Sequence, residues 1–178
     1  MSITIVFLSL VPQMKADQND LRLEVLFNGL KSSVSMQKAS SFEIQIWKIW
    51  MEHRNPKVQS PLFLGIEAMK HQKFENALDY FSQLILIEPE FAEGWNKRAT
   101  VLYLMGRLQE SEEDVLRTLE LEPRHFGALS GQGLLRMALE DWTGAIQALE
   151  AGLRIHPHMP GVIKNLKYAR KKQKKSMT

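Results

Sequence analysis

The chain of 178 residues is 44% hydrophobic and 24% charged, with a net charge of +3. That balance suits a folded domain burying about two thirds of its unfolded surface and excludes wholesale disorder. The absence of cysteine excludes disulfides, thiolate metal sites and cysteine nucleophiles together.

Residues 3–11 (ITIVFLSLV) are an apolar run of nine, too short to cross a bilayer as a helix. The run has the length of a signal-peptide core, and Ala16 offers a cleavage point. On that reading residues 1–16 are removed and the protein is exported, periplasmic in a bacterium. No Lys or Arg precedes the run and Met14 stands poorly three before the break. The alternative is an apolar leader docked on the domain.

Residues 17–57 read as a helical pair. Leu23, Leu26, Phe27 and Leu30 follow the spacing of one apolar helix face. Ser32 to Ser35 and Ser40-Ser41 mark a polar break. Residues 42–53 then carry Phe42, Ile46 and Ile49 on one stripe and Ile44, Trp47 and Met51 on another. A helix apolar on two sides is expected to be buried on two sides, with Trp47 and Trp50 as core.

From residue 58 the chain repeats itself. Pro89, Pro123 and Pro157 are 34 apart, and so are the small residues Gly65, Ala99 and Gly133. Ala77, Ser111 and Ala145 form a second small column. Phe74, Leu108 and Trp142, then Phe81, Val115 and Leu149, form bulky ones, and Ile87, Leu121 and Ile155 precede each proline. Small residues let two helices cross closely, bulky ones fill the space between crossings, and proline ends a helix. These columns resemble the tetratricopeptide-repeat (TPR) family, with Trp95 at the family's fourth-position Trp. Pro61 and Leu129 replace that Trp in the other repeats, and Arg136 stands where an aromatic is usual.

The resemblance implies an all-α, right-handed α-solenoid. Its repeats are residues 58–91, 92–125 and 126–159, which cover 102 of 178 residues. Helix A and helix B are expected at 62–71 and 74–87, at 93–105 and 108–121, and at 127–139 and 142–155, with Gly106 in a turn. The helical pair of residues 17–57 is expected to begin the solenoid, packed on repeat one. Leader, helical pair and repeats around Pro123-Arg124-His125-Phe126 are together similar to exported TPR proteins of Gram-negative bacteria.

Residues 160–178 read as a basic capping helix. Pro160 starts it, Val162, Leu166 and Ala169 share its inner face, and Lys164, Lys167, Lys171 and Lys174 lie opposite. Seven of the chain's 23 basic residues fall between Lys164 and Lys175 with no acid among them, so the remainder holds 16 basic groups against 20 acidic ones. A surplus confined to one tail does not make the fold a nucleic-acid binder, although contact with a nucleic acid or an anionic membrane through this helix is the competing reading.

No catalytic, cofactor or metal constellation stands out. His156 and His158 flank Pro157 without a third ligand and are expected to be exposed loop histidines. Glu112, Glu113 and Asp114 are consecutive and radiate around a helix. Gly131-Gln132-Gly133 follows no strand. The expected activity is therefore non-enzymatic: a scaffold holding a polypeptide in the concave groove lined by the A helices. Helical spacing places Leu62, Ile66 and Met69, then Asn96, Thr100 and Tyr103, then Ser130, Leu134 and Met137 on that wall. TPR proteins that grip acidic chaperone tails carry Lys, Asn and Arg there. Leu62, Ile66, Asn96, Thr100 and Ser130 hold those places here, so a largely apolar segment is the expected guest. Self-association, and cover of the groove by residues 17–54, are the remaining expectations.

Overall fold

The structure is a computed structural model that describes residues 17–176; the leader assigned to residues 1–16 lies outside them. Nine helices and no strand occur among the described residues: α1 (Arg22–Lys31), α2 (Met36–Met51), α3 (Pro56–Lys70), α4 (Phe74–Ile87), α5 (Ala92–Leu104), α6 (Leu108–Leu121), α7 (Phe126–Ala138), α8 (Trp142–Ile155) and α9 (Pro160–Ser176). Helices α3 to α8 form three antiparallel pairs stacked as a right-handed solenoid. The B helices α4, α6 and α8 have the expected bounds, and α5 and α7 differ from expectation by one residue at each end.

The 34-residue columns become contacts. A Cβ on Gly65 would stand 2.4 Å from Phe81 Cε1, and one on Gly133 would stand 2.4 Å from Leu149 Cδ2. Side chains of the partner B helix thus lie directly on bare backbone of the A helix. In repeat two, Ala99 permits the same approach, and Ser111 Oγ donates to the Ala99 carbonyl at 2.8 Å. The turn from A to B is also periodic. Gln72, Gly106 and Glu140, each 34 apart, all take a positive φ, of 56°, 74° and 57°. Each ends its A helix by the left-handed stop that glycine adopts at least cost.

Two expectations change. Helix α3 begins at Pro56, six residues before residue 62, with Pro61 inside it. Asn55 accepts from Lys57 N–H, and Pro56 pre-sets the first turn, so nucleation occurs upstream of Pro61 and outweighs the one ladder bond that Pro61 cannot donate. Ser40 and Ser41 lie within α2, so the break between α1 and α2 is only Ser32–Ser35, with Ser35 as N-cap to Lys38 N–H.

The larger correction concerns the helical pair. It does not extend the solenoid on repeat one: α1 lies against α8, α2 lies against α5, and α2 meets α3 only at its last residue, where Gln59 Nε2 donates to the Met51 carbonyl at 3.3 Å. The pair runs instead along the edge of the array where each B helix hands over to the next A helix, and it touches all three handover turns. At the first, the Gln18 amide donates to the Glu90 carbonyl, and His53 meets Phe91 edge-on at 5.1 Å. At the second, Arg124 pairs with Glu24 at 3.1 Å and covers Phe27, while Trp50 stacks on His125. At the third, Ser33 O accepts from His158 Nε2 at 2.8 Å, and Glu43 Oε2 lies 3.3 Å from His156 Nε2. His156 is buried and His158 half-buried, so neither is the exposed loop histidine expected.

Leu23, Phe27, Leu30, Ala39, Ile46, Ile49 and Trp50 join Phe126 in one core, with Ile155 and Met159 packed against it. The sequence is consistent with this docking because the B-to-A turns carry apolar Phe91, Phe126 and Met159, 35 and 33 residues apart, and must bury them.

Candidate functional site

The concave wall divides in two. In repeat one, Leu62 is fully buried in the core, and Ile66 and Met69 pack half-buried against the same cluster. Large aliphatic side chains at these places turn into the repeat, so Leu62 is no groove residue. Met137 likewise packs toward α8 and α9, against the cluster of Leu149, Val162 and Leu166.

Between α5 and α7 the groove stays open as a pocket of about 200 Å³. Asn96, Thr100, Tyr103, Ser130 and Leu134 line it, five of the nine residues expected on this wall. Ala99, Ser111, Val115, Gly127, Ala128, Gly131 and Leu135 complete it. The pocket exists because the facing residues are small and the two A helices barely touch.

Its polar groups have defined roles. Asn96 is 7% exposed, and its Nδ2 donates to Glu93 Oε2 at 2.9 Å, which leaves Oδ1 as the free acceptor. Thr100 Oγ1 donates to the Asn96 carbonyl at 2.9 Å. Tyr103 rests half-buried against the Ala99, Val115 and Leu135 cluster.

Below Asn96 lies a charged network that side-chain spacing alone did not single out. Glu93 is 1% exposed; Lys97 Nζ stands 3.0 Å from its Oε1, and His125 Nε2 stands 3.0 Å from its Oε2. Burial alone raises the Glu93 carboxyl, but the charge of Lys97 and the hydrogen bond of His125 outweigh it and hold the group below the ordinary glutamate range. His125 Nδ1 accepts from Ala128 N–H at 3.0 Å as the N-cap of α7, so the ring hydrogen sits on Nε2 and is donated to Glu93. Trp50 stacks on that ring with centroids 4.1 Å apart and planes 8° apart, and Lys97 lies 5.3 Å above the Trp47 ring. One network therefore joins the pocket floor to the α1–α2 pair. Trp47 also packs on the bare backbone of Gly127, where a Cβ would meet its Cη2 at 2.8 Å.

Trp95 is half-buried: its Nε1 donates to the Pro89 carbonyl at 2.8 Å, and Arg98 lies 5.0 Å over the ring. Arg98 forks onto the buried Asp114 at 2.7 and 2.8 Å. Arg136, in place of an aromatic, pairs with Glu112 and Asp141. The three consecutive acids thus do diverge, two of them serving inter-helix ion pairs.

Two glycines two residues apart should behave oppositely. Nothing lies within 4 Å of a Cβ on Gly131, so Gly131→Ala should stabilise the protein by about 1 kcal/mol through helix propensity alone. Gly133→Ala should destabilise it, because Leu149 must move. Urea unfolding of both variants checks the pair; equal signs would contradict the packing described.

Stacked helix pairs around an open A-helix groove define a helical-repeat scaffold. The tetratricopeptide-repeat profile matches residues 64–120 and 105–160. A TPR repeat-containing protein of Rhizobium etli is 33% identical over 136 residues, which span 76% of this chain and 67% of that one. The chain belongs to the tetratricopeptide-repeat family. The Hsp70-Hsp90 organizing protein of Triticum aestivum is 24% identical over 94 residues, 53% of this chain but only 16% of that relative. Among solved structures, the first TPR of Spaghetti bound to an Hsp90 peptide superposes with a TM-score of 0.63 at 20% identity, covering 65% of this chain and 91% of that one.

Proposed function

We propose that the protein is a scaffold that holds a polypeptide segment in the α5–α7 groove. The observation that carries this reading is the open pocket floored by Asn96 and walled by Tyr103 and Leu134. A TPR neighbour of the same fold holds the peptide SRMEEVD, which supports a peptide as the kind of guest.

The guest differs in chemistry. No Lys or Arg lines the pocket, and Glu93 engages the Asn96 amino group, so the floor offers an acceptor oxygen where an acidic peptide needs donors. A largely apolar segment that presents a backbone N–H to Asn96 Oδ1 fits this surface.

The test is selection from a random-peptide library on the wild-type protein, repeated on Gly131→Phe and Tyr103→Ala. A Cβ on Gly131 meets nothing within 4 Å, so the phenylalanine ring enters the open groove and should abolish enrichment with a melting temperature near the wild-type value. Tyr103→Ala should weaken binding at least tenfold, the scale of a truncated aromatic anchor, about 1.4 kcal/mol or more. Enrichment that survives Gly131→Phe, or that selects acidic C-termini, counts against the reading.

A further inference from the structure

At the third handover turn the molecule shows a second surface, away from the groove lining. The turn between α1 and α2 projects Val34, 83% exposed, and Met36, 57% exposed. The hydrogen bond from His158 to the Ser33 carbonyl ties this turn to the start of α9. Met36 and Ile163 thereby share an open depression of about 390 Å³ with Lys164 and Lys167.

The charge around these aliphatic groups is of one sign. Lys31 and Lys38 flank the turn and are exposed, and Lys164, Lys167, Lys171 and Lys174 continue as an exposed stripe along α9. None of the six takes part in an ion pair among the described residues. No acid occurs between residues 31 and 42 or beyond residue 150, and residues 1–16 contain none either. The inner face of α9, with Val162, Leu166 and Ala169 buried, holds the stripe rigidly on the array.

Single exposed aliphatic residues are ordinary on a protein surface, and a lysine-rich tail aids solubility. Their coincidence has a narrower use. Apolar tips encircled by unpaired lysines match the boundary between acyl chains and anionic headgroups. A nucleic acid would use the lysines but gain nothing from Val34 and Met36, and no arginine, phenylalanine, tyrosine or tryptophan lines the depression to stack on a base. We propose that this end of the molecule binds peripherally to an anionic lipid bilayer, with Val34 and Met36 below the headgroups and the α9 lysines upon them. No described helix is long and apolar enough to cross a membrane, so the contact is superficial.

The experiment is flotation of the full chain with vesicles of phosphatidylcholine alone or mixed with phosphatidylglycerol, at low and high salt. Partition should require the anionic lipid and weaken with salt. Lys164→Glu/Lys167→Glu should lower it by about 30-fold or more, since each lysine near such a surface contributes about fivefold. Val34→Asp/Met36→Asp should lower it by about tenfold or more. Circular dichroism of both should be unchanged because all four positions are exposed or line an open depression. Gly131→Phe should bind vesicles as the wild type does, which separates this surface from the groove. The proposal is overturned if anionic vesicles are not bound, or if both double variants bind as well as wild type, which would put the contact elsewhere. It is equally overturned if only the lysine variant loses binding and the protein holds double-stranded DNA as tightly as vesicles, the mark of a general polyanion surface.

Discussion

Trp50→Ala should destabilise the protein by about 3–5 kcal/mol, the cost of removing a large buried aromatic side chain. Trp50 is 1% exposed and is the largest side chain in the core between the α1–α2 pair and the array. Its ring meets His125 face to face at 4.1 Å, Phe126 at 5.1 Å, Trp47 at 5.3 Å and Phe27 at 5.8 Å. Its indole N–H has no hydrogen-bond partner among the described residues, so alanine removes ring contacts and buried area without breaking a hydrogen bond.

The loss should be local first. Repeat arrays are stabilised by each unit and its neighbours, so α3 to α8 can outlast the detachment of an edge-docked pair. Limited proteolysis of Trp50→Ala should cut between α2 and α3 under conditions where the repeats resist. Trp50→Phe should recover most of the protection. A variant that unfolds in a single step, with no earlier cleavage near Glu52 to Asn55, would show that pair and array are one cooperative unit.

The second large effect belongs to Glu93. Glu93→Ala leaves the His125 Nε2–H and the Asn96 amino group unpaired in the interior, while Lys97, with its side chain 22% exposed, can turn toward water. Breaking one partner out of a buried ionic cluster costs about 3–5 kcal/mol, and the escape of Lys97 places this case at the lower end. Glu93→Gln keeps an acceptor oxygen and should cost less.

The pH dependence has a definite sign. The folded carboxyl sits below its ordinary value of 4.5, so its contribution is complete above that pH and is lost as pH falls from 4.5 through the folded value. Asp20, whose carboxyl is lowered chiefly by its hydrogen bond to Arg22, titrates in the same direction. The difference between wild type and Glu93→Gln therefore isolates Glu93: it should be constant near neutrality and shrink below pH 4.5. Urea midpoints measured across that range decide it. A difference that does not change with pH would mean that the Glu93 carboxyl titrates alike in the folded and unfolded chains.

Much of the array can be read from residue order because each column answers a local need. Gly65 and Gly133 are small because Phe81 and Leu149 of the partner helix lie on them, and that crossing recurs wherever the beat recurs. The B helices start at Phe74, Leu108 and Trp142 for the same reason. The groove was only half legible. Spacing puts Leu62 and Asn96 at equivalent angles on their helices, but it cannot say that an aliphatic side chain turns inward whereas an asparagine stays at the pocket floor. Gly131 gave no packing reason in the sequence, since what it faces is open space between two helices.

Residue order by itself determined the all-α class, the three stacked pairs and the capping helix with its lysine stripe. The physical reason is that helix crossings between neighbours repeat the same short-range demand every 34 residues. Tertiary structure alone decided the course of α1 and α2, which carry no such beat and whose apolar faces could be satisfied on more than one surface. Three handover turns offered Phe91, His125 with Phe126, and Ile155 with Met159 on one edge, and docking there buries Ile46, Ile49 and Trp50 and half-buries Phe42 and Trp47, while Ile44 of the second stripe stays exposed, against the two-sided burial expected. The stacking of Trp50 on His125 and the seat of Lys97 over Trp47, both beside the Glu93–His125 pair, follow from that docking, because the two indoles reach the array only once the pair has closed over the edge.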